Sequence, residues 1–270
     1  MKYKAIALDL DGTLTDRNKR LPERNKQAIF KAIDAGVSVI LASGRPTFGI
    51  TPIADELELK KRGGYILAYN GGNILDYKTG ELIDSTILPS VCIADICKEA
   101  RANGVYAVFY ADTQIVSESD TDEYVIKEAK CNYTTIKKVS DVNAYIDYPV
   151  AKFLVVGPHE KLLPVQKSLL SKYEGIIDAF FSEEYFLEVV PVGVAKDKSL
   201  LKLLDRLNIK TEELIACGDG MNDIPMLRIA GLSAVVENAY PKVKEYADII
   251  VPSNDECGVA AVIEEYILRG

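Results

Sequence analysis

Apolar runs separated by short polar turns set the outline of this chain. Residues 5–8, 37–41, 65–69, 214–217, 232–236 and 248–251 are largely apolar and lack the alternation of a half-exposed strand. That pattern predicts strands buried on both faces, as in a parallel sheet. Segments of helical period lie between them. The first opens at Pro22, carries Ala28, Ile29, Ala32 and Ile33 on one face and closes at Gly36. Residues 47–60 read as a second helix, and Leu200, Leu203, Leu204 and Leu207 give the face of another. Further helices run to Ala230, from Pro241 and from Val259. Asn70-Gly71-Gly72 has the residues of a positive-φ turn, and Ile74-Leu75 and Leu82-Ile83 flank Thr79-Gly80 as a small hairpin.

Near Asp84 the character changes. Cys92, Ile93, Ile96, Cys97 and Ala100 form a helical stripe, followed by a strand over residues 105–110 and a tight turn at Asp112-Thr113 into Ile115-Val116. A polar helix over 122–129, a strand over 152–156 and a helix over 160–173 come next, then two antiparallel strands over 178–182 and 186–190. The expected fold class is therefore α/β: a doubly wound, Rossmann-like parallel-sheet core from residues 1–84 and 190–270, with an inserted α+β unit over 85–189.

Length and charge narrow the setting. A chain of 270 residues has room for two domains with ample core. The net charge of −8, without a long Lys/Arg cluster, argues against a nucleic-acid surface. No apolar run approaches a membrane span, and the N-terminus lacks a signal-peptide pattern. Cys92, Cys97, Cys131, Cys217 and Cys257 are odd in number and contain no CxxC pair, the usage expected of reduced thiols in a cytoplasmic protein.

The chemistry-bearing residues collect at predicted strand ends. Asp9 and Asp11 follow the first strand, with Gly12 permitting a sharp turn; Ser43-Gly44 follows the second; Asp219, Asn222 and Asp223 follow a later one, and Lys196 stands before a helix. In open α/β sheets the ligand crevice lies at these carboxyl ends. A bare Asp-x-Asp is ordinarily two solvated loop acids, but the full stretch Asp9-Leu10-Asp11-Gly12-Thr13-Leu14-Thr15 after a buried strand is far more specific. Several carboxylates converging there would repel one another unless a hard dication such as Mg²⁺ joined them, and Mg²⁺ favours carboxylates together with substrate phosphate oxygens. Lys196, the Ser43 hydroxyl and turn amides could meet a phosphoryl group.

Asp9-Leu10-Asp11-Gly12-Thr13-Leu14, Ser43-Gly44-Arg45, the lysine before a helix and Gly218-Asp219-Gly220-Met221-Asn222-Asp223 correspond to the four motifs of the haloacid dehalogenase superfamily. The chain resembles its Cof-type branch, in which a type IIB cap is inserted between the second and third motifs. Asn70-Gly71-Gly72, Gly193-Val194-Ala195-Lys196, Asn238-Ala239 and Ala247-Asp248 extend the resemblance over essentially the whole chain. One departure is Asp197-Lys198, where many relatives carry Gly and a small residue; it leaves Lys196 as the motif lysine and Lys198 as its understudy.

The resemblance implies a Mg²⁺-dependent phosphomonoester hydrolase acting on a small phosphorylated metabolite. A sugar phosphate is the first expectation; a phosphorylated cofactor such as a flavin or pyridoxal phosphate is an alternative, as is a phosphomutase. Asp9 would attack phosphorus, and Asp11 would protonate the leaving oxygen and then deprotonate water. Mg²⁺ would be held by the Asp9 carboxylate, the Asp11 backbone carbonyl, Asp219 and Asp223, the last directly or through water. Ser43, the Gly44 amide, Lys196 and Asn222 would hold phosphate oxygens, with Arg45 near the substrate or structural. The cap would set specificity. Other residues carry blander expectations: His159 starts a surface helix, Tyr106, Tyr110 and Tyr185 pack, Cys217 is a small core residue, and Glu188 either contacts substrate or lies on a solvated strand face.

Overall fold

In the computed structural model, which describes residues 2–111 and 113–269, the chain starts with β1 (Ala5–Leu8), α1 (Glu23–Asp34), β2 (Ser38–Ala42), α2 (Thr47–Glu56), α3 (Leu59–Arg62), β3 (Tyr65–Ala68), β4 (Asn73–Asp76) and β5 (Leu82–Ser85). Then come α4 (Ser90–Ala102), β6 (Tyr106–Ala111), β7 (Gln114–Ser117), α5 (Glu123–Cys131), β8 (Ile136–Lys138), α6 (Val142–Tyr145), β9 (Phe153–Val156), α7 (His159–Lys172), β10 (Ile177–Glu183) and β11 (Phe186–Pro191). The chain ends with α8 (Lys196–Leu207), β12 (Leu214–Gly218), α9 (Ile224–Ile229), β13 (Leu232–Val236), α10 (Pro241–Lys244), β14 (Ile249–Val251) and α11 (Gly258–Tyr266). Two compact units result: Met1–Asp84 with Ala195–Gly270, and Ser85–Val194.

The first unit is built on an 8-stranded sheet in the order β14-β13-β12-β1-β2-β3-β4-β5. From β14 to β3 the neighbours pair in parallel, and β4 turns back antiparallel on β3. The uninterrupted apolar runs have the expected cause, because both sheet faces are covered. Ile6 and Leu8 point into one layer with Ile29, Ile50 and Ile263, while Ala5 and Ala7 point into the other with Leu200, Leu203 and Met226. This doubly wound arrangement places the ends of β1, β2 and β12 at the middle of the sheet, where the chain reverses its winding direction.

One predicted element is corrected. Residues 47–60 do not form one helix: α2 ends at Glu56, Glu58 turns left-handed (φ 51°), and α3 restarts at Leu59. Leu57 and Leu59 are both fully buried. Positions two apart point to different sides of a continuous helix, so the break lets both reach the core.

The second unit carries a 6-stranded sheet in the order β10-β11-β9-β6-β7-β8, largely antiparallel. Pairing of β11 with β10 continues to Pro191, opposite Ile177. Of the predicted Asp112-Thr113 turn, Asp112 lies outside the described residues. The strand β8 and helix α6 have only three and four residues, too short to leave a period in the sequence. One sheet face packs Phe109, Phe153 and Leu187 against α4 and α7.

Glu188 corrects the expectation of a solvated strand face. It is buried, and its carboxylate lies 3.3 Å from the buried Lys152 ammonium. Nearby, Glu128 of α5 accepts hydrogen bonds from the Tyr110 hydroxyl and the Asn132 amide, each at 2.7 Å. Burial raises the Glu128 carboxyl above its usual range, against the pull of Lys152. His159 begins α7 on the surface, with Nδ1 2.8 Å from the Glu184 carbonyl.

Candidate active site

The site follows from where the central strands end. The Asp9 amide still donates to the Cys217 carbonyl at 3.0 Å, so β1 keeps its ladder with β12 up to the residue that carries the first acid. The chain then tightens: the Leu14 amide donates back to the Asp9 carbonyl and the Thr15 amide to the Leu10 carbonyl, while Leu10 and Leu14 are fully buried. Gly12 sits at φ 85° with its hydrogen face against Asp219; a Cβ there would stand 2.4 Å from Asp219 Oδ2. The Gly12 carbonyl is held by the Asn238 amide at 2.7 Å. Gly12→Ala should therefore destabilise the protein by at least about 1 kcal/mol through left-handed strain alone, with more from displaced Asp219. Equilibrium unfolding in denaturant checks this.

Lys196, the first residue of α8, is 1% exposed and points its ammonium between two acids. Nζ donates to Asp9 Oδ1 and to Asp223 Oδ1, each at 2.6 Å. The helix is docked by Ser199, whose hydroxyl donates to the Gly71 carbonyl at 2.5 Å. A Cβ on Gly71 would meet that hydroxyl at 2.6 Å, which explains the glycine in the Asn70-Gly71-Gly72 turn. Lys198 is exposed and takes no part in this contact.

Asp223 is wholly buried. Its Oδ2 accepts the amides of Asp219 (2.9 Å) and Gly220 (2.8 Å), closing the loop after β12 into a tight turn. Asp219 Oδ1 accepts the Thr13 hydroxyl at 2.6 Å. One carboxylate oxygen from each of Asp9, Asp219 and Asp223 lies within 4.8 Å of the others.

Charge follows from this crowding. Burial lifts the Asp9 carboxyl well above its ordinary range and the Asp223 charge adds to it, with Lys196 offsetting part. Burial pushes Asp219 up to about 6; its Thr13 hydrogen bond opposes the rise and Asp223 adds to it. Burial alone would lower Lys196, but the charges of Asp223 and Asp9 outweigh it and hold the ammonium above its usual range. Three acids around one ammonium leave an excess of negative charge and of oxygen donors. That donor set fits a small hard dication, for which oxygen ligands are the rule.

A second group of charges stands beside the first. Asp11 is gripped by Arg45, with Nε 2.7 Å from Oδ2 and Nη2 2.7 Å from Oδ1, and Lys19 Nζ lies 2.6 Å from Oδ1. Burial works to raise the Asp11 carboxyl, but the Arg45 hydrogen bonds and charge, aided by Lys19, hold it below its usual range. Ser43 is buried at the end of β2, where its amide donates to the Leu67 carbonyl and its hydroxyl accepts the Arg45 amide at 3.2 Å. Gly44 lies against the Asn70 side chain, to whose oxygen Asn222 donates at 3.0 Å.

The structure thus collects Asp9, Lys196, Asp219 and Asp223 in one cluster, with Asp11 and Arg45 in another, and it joins Asn222 to Asn70 beside Gly44. Thr13, Lys19 and Asn70 also belong to these networks and were not singled out as site residues by the sequence. Lys19 lies in a surface loop in the left-handed region (φ 61°), and nothing in its sequence neighbourhood marks it. Asn70 carried a signal, the asparagine-glycine turn immediately after a buried strand.

Comparison with known proteins gives consistent results. The sequence profile for haloacid dehalogenase-like hydrolases matches residues 6–263. The chain is 29% identical to 5-amino-6-(5-phospho-D-ribitylamino)uracil phosphatase YwtE of Bacillus subtilis, covering 98% of each chain. It is 28% identical to the HMP-PP phosphatase of Serratia proteamaculans, over 90% of this chain and 86% of that one. Among solved structures, a haloacid dehalogenase-like hydrolase from Bacteroides thetaiotaomicron is 43% identical, with a TM-score of 0.95 over 97% of this chain and 99% of the other.

Proposed function

Because the chain belongs to the haloacid dehalogenase-like hydrolases and is a phosphatase of their Cof-type branch, we propose that it hydrolyses a small phosphomonoester with Mg²⁺ through an aspartyl-phosphate on Asp9. The observation that carries this reading is the placement of Asp9 at the end of β1. One of its oxygens is tied to Lys196, and Asp219 and Asp223 stand beside it.

In the first step an Asp9 oxygen bonds to phosphorus as the bond from phosphorus to the ester oxygen breaks. The departing oxygen takes a proton from Asp11, which acts as the acid only after taking up a proton against the Arg45 and Lys19 contacts that hold it ionised in the free protein. In the second, water attacks the same phosphorus, gives its proton to the Asp11 carboxylate, and Asp9 leaves as a free carboxylate with orthophosphate released. Lys196 keeps Asp9 oriented and faces a phosphoryl oxygen, helped by Ser43, the Gly44 amide and Asn222. For Arg45 the expectation left two roles open, near the substrate or structural; its guanidinium lies on Asp11. Mg²⁺ would be held by the carboxylates of Asp9, Asp219 and Asp223 with the Asp11 backbone carbonyl. When bound it supplies a Lewis acid that withdraws charge from the phosphoryl oxygens.

A sugar phosphate is the substrate class we propose. The activity of the Bacillus subtilis relative, a 5-amino-6-(5-phospho-D-ribitylamino)uracil phosphatase 29% identical over 98% of the chain, supports a phosphorylated ribityl-pyrimidine as a second candidate. The test is orthophosphate release from a panel containing both classes, with Mg²⁺ and with excess chelator. Release should require the metal. Full turnover in chelator would overturn the Mg²⁺ assignment, and transfer of phosphate within the substrate instead of release would make the protein a mutase. Among the described residues no helix is long and apolar enough to cross a membrane.

The raised acids also predict how pH acts on the metal-free protein. An acid whose folded pKa is raised favours the folded state fully below its unfolded value, near 4, and loses that contribution as pH rises through the folded value, about 6 for Asp219. The rise is worth about 2 kcal/mol after allowance for partial exposure. In chelator the melting temperature should therefore fall between pH 5 and 7.5. Added Mg²⁺ should raise it much more at pH 7.5 than at pH 5, since protons and metal compete for the same oxygens. Equal Mg²⁺ shifts at both pH values in thermal melts would remove these acids as ligands.

A further inference from the structure

Arg45 is held on both sides. Its amide donates to the Ser43 hydroxyl at 3.2 Å and its carbonyl accepts the Tyr69 amide at 3.0 Å, which fixes the backbone between β2 and β3. At the far end Nη1 donates to the Gly49 carbonyl at 3.0 Å, in the first turn of α2. The side chain is 9% exposed, whereas that of Asp11 is 32% exposed. The buried guanidinium therefore offers a rigid fork to a carboxylate that is otherwise set on a surface loop. Nε meets Oδ2 and Nη2 meets Oδ1, each at 2.7 Å, the two-point geometry that fixes the plane of a carboxylate as well as its place. Lys19 adds a single contact to Oδ1 from an exposed loop, which supplies charge without fixing that plane.

We propose that Arg45 is a positioning residue for Asp11, setting the carboxyl plane for proton transfer, and that it is not a phosphate ligand. The inference rests on the reading of Asp11 as the acid and base. Its consequence is selective. A misdirected carboxyl slows the step in which a poor leaving oxygen must receive a proton, and it spares a leaving group that departs without one. Loss of a phosphate ligand would weaken binding of every ester alike.

The experiment measures kcat and KM on an alkyl phosphate and an aryl phosphate for the unmodified protein, Arg45→Lys, Arg45→Gln, Asp11→Asn and the double variant Asp11→Asn/Arg45→Gln, with melting curves to verify folding. Arg45→Lys keeps the charge and loses the fork, so it should lower kcat on the alkyl ester about ten- to a hundredfold and much less on the aryl ester. KM should change little for either. In the Asp11→Asn background Arg45→Gln should add almost nothing, because the two residues act as one unit. An equal loss on both esters, a rise in KM for both, or an undiminished Arg45→Gln effect without Asp11 would overturn the proposal. A protein with intact Asp11 that needs no proton transfer there fails differently: Asp11→Asn alone would then leave alkyl-ester turnover unchanged, which removes the underlying role and the inference with it.

Discussion

Asp9→Asn should abolish turnover, by at least about ten-thousandfold, and should yield no phosphoenzyme with any ester. The amide is nearly isosteric, so the fold should persist. What is lost is the nucleophile, because an amide oxygen does not form a stable bond to phosphorus. The change also removes one of the three carboxylates that crowd within 4.8 Å. Since burial and Asp223 both lift Asp9 above its ordinary range, neutralising it should not destabilise the metal-free protein and should raise its melting temperature. Lower activity with higher metal-free stability is a pairing that a purely structural aspartate would not give. Single-turnover phosphate release and a thermal melt in chelator read the two halves.

Lys196→Met carries the second large effect. The side chain has no exposure, and it neutralises Asp9 and Asp223 at 2.6 Å each. Methionine fills similar volume without charge and leaves buried acids facing one another. Removing one partner from a buried ion pair costs about 3–5 kcal/mol, most of it from the uncompensated charge left behind. The deficit should be fullest near pH 7.5 and shrink on acidification, as the raised carboxyls of Asp9 and Asp219 take up protons. Denaturant unfolding at the two pH values checks the sign. A deficit unchanged by pH would mean that lost packing, and not charge, is what Lys196 supplies.

The legible parts of this molecule were those set by local sequence. Buried strands such as β1 announce themselves because every position must be apolar when both sheet faces are covered, with Ala5 and Ala7 facing the α8 layer and Ile6 and Leu8 the other. The acids were legible because they follow such strands directly, where an α/β crevice opens. The rest depends on partners far along the chain. The break at Glu58 answers to the burial of both Leu57 and Leu59, and the helical period alone carries no trace of it. Glu188 reads as a polar strand position until Lys152 is brought beside it by pairing of β11 with β9. Arg45 reads equally as a substrate cation or a structural residue, and its fork on Asp11, 34 residues earlier, is a contact the sequence does not display. Thr13 and Asp219 are separated by 206 residues, and their hydrogen bond exists only because β1 and β12 are neighbours.

The central claim is that catalysis passes through a covalent bond between Asp9 and phosphorus. Asp11→Asn protein keeps the nucleophile but lacks the base that activates water, so an aryl phosphate should load Asp9 and leave it phosphorylated. Acid quenching followed by borohydride reduction converts an aspartyl-phosphate into homoserine, whose position peptide mass mapping reads directly. The account predicts homoserine at position 9, formed only with Mg²⁺ and substrate and absent from Asp9→Asn/Asp11→Asn protein. Reduction at any other acid, or active protein with no trapped intermediate at Asp9, would contradict it.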